Sequence, residues 1–207
     1  MKQRVIAAWL FAAATACTSG PPPPVDTRSY DEQILAWRSA KDAMFRGKDS
    51  PLPPDQRAPF SGLPYYAIDP TYHVPAKLTP EPAGPEVIIE LPTSRHQIDR
   101  KRRVGTLSFT IGHATYQLTA FADENDRTMF RLFVPFGDLT STVDETYKGG
   151  RYLELDRTAT GLYDLDFNRA YHPFCVFSSD YDCPVPPREN RLAVAIRAGE
   201  RLGRPSP

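Results

Sequence analysis

The chain has 207 residues, with 25 basic and 25 acidic side chains and a formal net charge of +0. That length fits one domain with a proper core. The charge balance excludes a broad electrostatic grip on nucleic acid, which needs a clustered basic face. The one basic run, Arg95 with Arg100, Lys101, Arg102 and Arg103, reads as a solvated loop.

Residues 1–16 read as a targeting segment. Lys2 and Arg4 form a short positive region, and an apolar stretch of about ten residues follows, too short for a comfortable membrane span. It ends in Ala14-Thr15-Ala16-Cys17, which resembles a bacterial lipoprotein signal, with Ala14 where Leu is commonest. The resemblance implies lipidation at Cys17. An ordinary secretory signal cleaved nearby is the alternative. Removing Lys2 and Arg4 leaves the rest slightly acidic. Residues 17–28 carry Pro21 to Pro24, whose extended geometry suits a tether from a membrane to the globular part, residues 29–200, with a short disordered tail at 201–207. Thr18 and Ser19 lack the Asp that favours inner-membrane retention in lipoproteins of enterobacterial type. The expected location is therefore the cell envelope, on the outer membrane facing the periplasm, with the membrane as a partner through the lipid.

One helix is predicted over 29–47. Ser29 and Glu32 form a capping box, Tyr30, Ile34, Trp37, Met44 and Phe45 fall on one stripe, and Gly47 stops it. Residues 50–85 are rich in proline and aromatics and read as an irregular wrap, with at most a short strand over 72–77. Strands are predicted over 87–91, 104–111, 115–122, 128–134, 152–155, 162–165 and 191–197. Gly112-His113 makes a tight hairpin turn, and the last strand turns Leu192, Val194 and Ile196 inward. This pattern predicts a mainly β (α+β) domain, an antiparallel sandwich or small barrel packed by the N-terminal helix.

Two loops concentrate polar chemistry, and functional residues gather on loops held by a rigid scaffold. In 138–151, Asp138, Tyr147 and Arg151 stand with Thr140, Glu145 and the Gly149-Gly150 pair. Such carboxylates and hydroxyls bind a cation or act as acid and base, but they also cap turns. In 164–172, Asp166, Asn168 and Arg169 can orient one another. Arg151 or Arg169 can grip a carboxylate or phosphate through two bonds, and the alternative is an ion pair that locks the loop. Glu189, just before the last predicted strand, completes the candidate binding set. Cys175 and Cys183 form an even pair in an exported domain and read first as a disulfide. With His172 and Asp166 they are also a possible zinc set, but the H-x2-C-x7-C spacing lacks a C-x2-C knuckle. His73, His96 and His113 carry no ligand spacing. No GxSxG, P-loop, GxGxxG or HExxH motif is present, so no cofactor is expected and an enzymatic role is left undecided.

The succession SPL, FSGLPYYAID, LFVPFGDLTS, ETY, GGRYLEL, DFNRAYHPFC, CPVPPRENRL and IRAGE resembles domain-of-unknown-function family 1684 of bacteria and archaea, over 30–200. In that family a glycine usually follows the Thr-Ser ahead of the Glu-Thr-Tyr, in an interval one residue shorter than the one in this chain. Here Thr142, Val143 and Asp144 fill the interval. The resemblance implies no catalytic roles. Three functions remain open to the sequence: a binding module taking a small polar ligand or glycan between the two loops, a structural envelope protein with inward-paired loops, and a hydrolase using Asp138 or Glu145 with Asp166 or Glu189.

Overall fold

The computed structural model describes residues 26–126, 131–156, 158 and 160–203; the targeting segment, Cys17, most of the tether and the end of the tail lie outside this set. Helix α1, Tyr30–Arg46, begins with the expected capping box: Ser29 accepts from the Glu32 amide, and Glu32 accepts from the Ser29 amide at 2.8 Å. Gly47 ends it.

Seven strands follow: β1 (His73–Pro80), β2 (Ile88–Pro92), β3 (Ile98–Ile111), β4 (Ala114–Asp123), β5 (Arg131–Phe136), β6 (Arg151–Asp156) and β7 (Leu162–Asp166). All pairs are antiparallel, in the order β6-β5-β4-β3-β1-β7, with β2 added to the outer half of β3. The end strands β6 and β7 come back together, so the sheet curls into a nearly closed barrel. Leu107, Leu118, Leu132, Val134, Leu153 and Leu165 fill its interior at 1% exposure or less. A second cluster, Phe45, Leu52 and Leu63, fixes the end of α1 to the proline-rich wrap.

Two segments depart from expectation. The basic run does not form a loop: Arg100 to Arg103 are the first half of β3, paired with β2 and β4. Carboxylates offset those charges, Asp99 from β3 itself and the rest from neighbouring elements: Glu124 for Arg100, Asp99 and Asp123 for Lys101, Glu86 for Arg102, and Glu81 for Arg103. Residues 128–130 of the fifth predicted strand lie outside the described set.

Residues 191–197 do turn Leu192 and Ile196 into the core, yet they form no strand. Their backbone is held in single contacts instead: Leu192 N–H donates to Gly137 O at 2.8 Å, and Val194 O accepts from Leu139 N–H at 3.1 Å. The later carbonyls are taken by a side chain, Arg151, described below. The turn at Gly199 (φ 78°) brings the chain so close to Ala170 and Phe167 that a Cβ would lie 2.5 and 2.6 Å from their carbonyl oxygens. Only glycine fits there.

Asn190 performs the other non-ladder connection. Fully buried, it accepts from Thr119 N–H at 2.7 Å and donates from Nδ2 to Thr119 O and Pro135 O at 2.9 and 2.7 Å. Asn190→Ala leaves three buried backbone groups unpaired, so it is expected to cost about 3 kcal/mol in urea unfolding. A loss below about 1 kcal/mol contradicts this role.

Candidate functional site

Arg151 opens β6 with its side chain 1% exposed. Its guanidinium donates four times. Nη2 reaches Asp138 Oδ2 at 2.6 Å and Ile196 O at 2.7 Å; Nη1 reaches Ala198 O at 2.5 Å and Glu200 O at 3.1 Å. The other Asp138 oxygen accepts from the Thr140 amide at 2.7 Å and from its hydroxyl, which also contacts the Thr146 hydroxyl at 2.7 Å. The first polar loop is therefore built inward around one ion pair. Within it Asp144 takes φ 57°, the left-handed conformation that glycine adopts freely.

The second loop forms a separate knot. Asp166 Oδ1 accepts from Tyr30 Oη and from the Asn168 amide, both at 2.9 Å. Asn168 Nδ2 donates to Tyr30 Oη and Asp69 O at 2.8 Å, and its Oδ1 accepts from the Asp69 amide at 3.0 Å. This knot ties α1 and the wrap to β7. Burial, with Asp166 beside it, raises the Tyr30 phenol well above its usual range, so the hydroxyl stays protonated as a donor.

Between the knots lies Glu200, 1% exposed. Its Oε2 accepts from the His172 amide at 2.8 Å, and its Oε1 lies 2.5 Å from Lys41 Nζ, an ion contact rather than an aligned hydrogen bond. Burial pushes Glu200 up and Lys41 down. His172 Nε2 accepts from the Tyr147 amide at 3.2 Å. Burial, aided by Arg151 and Lys41, lowers His172 to about 3, which keeps it neutral.

Of the remaining candidates, Tyr147 is half-buried beside Cys175, and Glu189 is exposed on the far side near Thr119 and Gln117. Glu145 pairs with Arg197 at 2.9 and 3.0 Å, which lowers its carboxyl, and it also accepts from Tyr66. Cys175 and Cys183 are neighbouring thiols; the Cys175 amide donates to Cys183 Sγ at 3.3 Å, and burial pushes the Cys183 thiol up to about 12. Among the described residues no three His, Cys, Asp or Glu side chains are arranged around a metal position.

The seven candidate binding residues thus do not meet in one place. Arg169 alone of them lines the open cleft of about 520 Å³ between α1 and the strands β5 and β6. Trp37, Lys41 and Met44 come from α1, Arg131 from β5, Glu154 and Asp156 from β6, and Tyr171 and Phe174 from the loop beyond Arg169. Arg131 bonds Asp156 at 3.0 Å and Glu154 at 3.2 Å, and Tyr171 Oη donates to Glu154 at 3.0 Å. Lys41 Nζ sits 4.1 Å from the Tyr171 ring centre and 5.4 Å from that of Trp37. Sequence reasoning overlooked Lys41, although its position supplied a signal: it follows Trp37 by four residues, inside the stripe that should be apolar. A second hollow of about 480 Å³ opens at one barrel end, beside residues 80–87 and β3.

The fold and these loops define a small antiparallel barrel whose conspicuous polar residues are turned inward. The chain belongs to the family described as "Protein of unknown function (DUF1684)", which matches residues 58–201. It is also similar to an uncharacterised protein of Haloarcula marismortui solved by solution NMR, at 39% identity and a TM-score of 0.65, covering 84% of this chain and 94% of that one. No curated protein matches.

Two outcomes follow from the buried charges. Arg151→Met strands Asp138 and three carbonyls, and should cost about 3–5 kcal/mol in urea unfolding; a cost under about 1 kcal/mol removes Arg151 from its central place. For His172 the unfolded side chain binds a proton near pH 6.5, while the folded one refuses it until about 3. Full stability is therefore present above pH 6.5 and is lost as pH falls toward 3. Glu200, shifted the opposite way, works against this slope. His172→Gln should flatten the acid limb in a urea series across that window, and an unchanged limb contradicts the assignment.

Proposed function

We propose that this protein is a lipid-anchored envelope binding module that takes a small polar ligand or glycan in the α1/β5–β6 cleft. The observation that carries the reading is the composition of that cleft. Aromatic faces of Trp37 and Tyr171 stand beside the cations Arg131, Arg169 and Lys41 and the carboxylates Glu154 and Asp156. Aromatic planes suit the apolar face of a sugar ring, and alternating charges suit its hydroxyls or a zwitterion. The volume of about 520 Å³ falls within the range of small-molecule sites.

In this reading the site lies outside the cytoplasm. The Ala14-Thr15-Ala16-Cys17 sequence supports lipidation at Cys17, and the proline tether supports a domain held off the outer membrane into the periplasm. In that compartment Cys175 and Cys183, already neighbours, close to a disulfide.

A second reading, a structural envelope protein, is favoured by the inward pairing of Asp138 with Arg151 and of Asp166 with Asn168 and Tyr30. Ligand titration separates the two. Mono- and oligosaccharides and amino acids are screened by NMR and thermal shift. The binding reading expects at least one to perturb Trp37, Arg131 and Tyr171, and expects Trp37→Ala to weaken it by about tenfold, or about 1.4 kcal/mol. Perturbation confined to other surfaces, or none with any compound, leaves the structural reading.

A further inference from the structure

We propose that Lys41 is a nucleophilic amine, forming a reversible imine with a ligand that carries an aldehyde or ketone beside an anionic group, 2-oxo acids being the simplest. This rests on the cleft being a binding site and assigns its chemistry.

A lysine on the buried stripe of a helix normally extends its amine to water. Lys41 keeps its amine at the foot of the open cleft, with its side chain only 10% exposed. Its Nζ lies over the faces of the Tyr171 and Trp37 rings. On its inner side the single carboxylate in contact is Glu200, at 2.5 Å and itself 1% exposed. Glu200 Oε1 has no other hydrogen-bond partner among the described residues, so this oxygen is available to hold a proton. Its second oxygen is fixed by the His172 amide, which sets the carboxylate plane.

Burial lowers Lys41 and raises Glu200, and both directions favour the neutral amine beside a neutral acid. Lysines lowered by burial are the ones that form imines. The same cleft supplies anion grips. Among the described residues Arg169 bonds Asp166 through Nε alone, at 3.3 Å, and its side chain, 42% exposed, lines the cleft. Arg131 lines the cleft too, with Nε and Nη1 given to Asp156 and Glu154 and Nη2 left over. A 2-oxo acid offers both groups at once, a carboxylate for a guanidinium and an adjacent carbonyl carbon for the amine.

The step balances without an oxidant or reductant. Glu200 takes one proton from the Lys41 ammonium. The free amine adds to the carbonyl carbon as the C=O electron pair moves to oxygen, and one N–H proton passes to that oxygen, giving the neutral carbinolamine. Glu200 returns its proton to the departing hydroxyl. The C–O bond breaks, C=N forms and one water leaves; water addition reverses the sequence.

The full chain is incubated with glyoxylate or pyruvate and sodium cyanoborohydride, and reduced adducts are mapped by mass spectrometry. Lys41 should be modified about tenfold or more faster than the exposed Lys48, Lys77 and Lys148. Glu200→Gln should slow the Lys41 adduct selectively; should that variant not fold, Arg169→Ala, on the surface, must slow pyruvate capture and spare the other lysines. Modification of Lys41 no faster than of the exposed lysines overturns the proposal. If Lys41 stays unmodified while a carbonyl-free polyol still perturbs Trp37, the imine fails and the binding cleft stands. If neither is seen, both readings fall.

Discussion

The structure depends on burying one guanidinium. Arg151 is removed from water almost completely, which costs several kcal/mol for an ion unless every donor is met. Its four donated bonds go to Asp138 and to three carbonyls of residues 196–200. A planar fork with fixed donors can serve an acid and a peptide segment together, which an ammonium cannot. Through this one side chain the C-terminal segment is held against the barrel without a strand, and the 138–151 loop is closed over it. Gly199 permits the approach, and Glu200, placed by it, becomes the anchor for Lys41 and His172.

Polar density in a loop is therefore a poor guide to exposure here. Asp138, Arg151, Asp166 and Asn168 do the work that strand ladders do elsewhere, joining the wrap, the helix and the tail to the barrel. Because the barrel is small and its connections are long and irregular, many backbone groups have no neighbouring strand and need side-chain partners. The cleft that remains open lies where α1 fails to cover β5 and β6, and its floor is an amine whose counter-ion belongs to the interior.

Much of the scaffold could be read from the chain. The capping box at Ser29 and Glu32, the apolar stripe of α1, the Gly112-His113 hairpin and the alternating patterns of β4 to β7 are local signals, and local physics sets them. The misread segments depend on distant partners. Arg100 to Arg103 look solvated until the carboxylates of neighbouring elements are placed beside them. Residues 191–197 alternate as a strand does, but Arg151, 45 residues away in sequence, takes the Ile196 carbonyl and those of Ala198 and Glu200 just beyond it. The polar loops were visible as a unit, while the direction their side chains face was not, since a buried salt bridge and an open site use the same residue types. Lys41 was hidden by its class, for a charged residue in an apolar stripe is usually a solvated one.

Native-state hydrogen exchange by NMR tests the central claim most directly. The probes are four of the amides that donate to buried side chains: Thr119 to Asn190, Thr140 to Asp138, Asn168 to Asp166 and His172 to Glu200. If the polar loops hold the fold, these four exchange only when the whole domain unfolds, with the same dependence on urea as the barrel core. Exchange of Thr140 and Asn168 through local opening, well below the global unfolding free energy, would contradict the account and make the loops themselves the mobile, ligand-facing part of the protein.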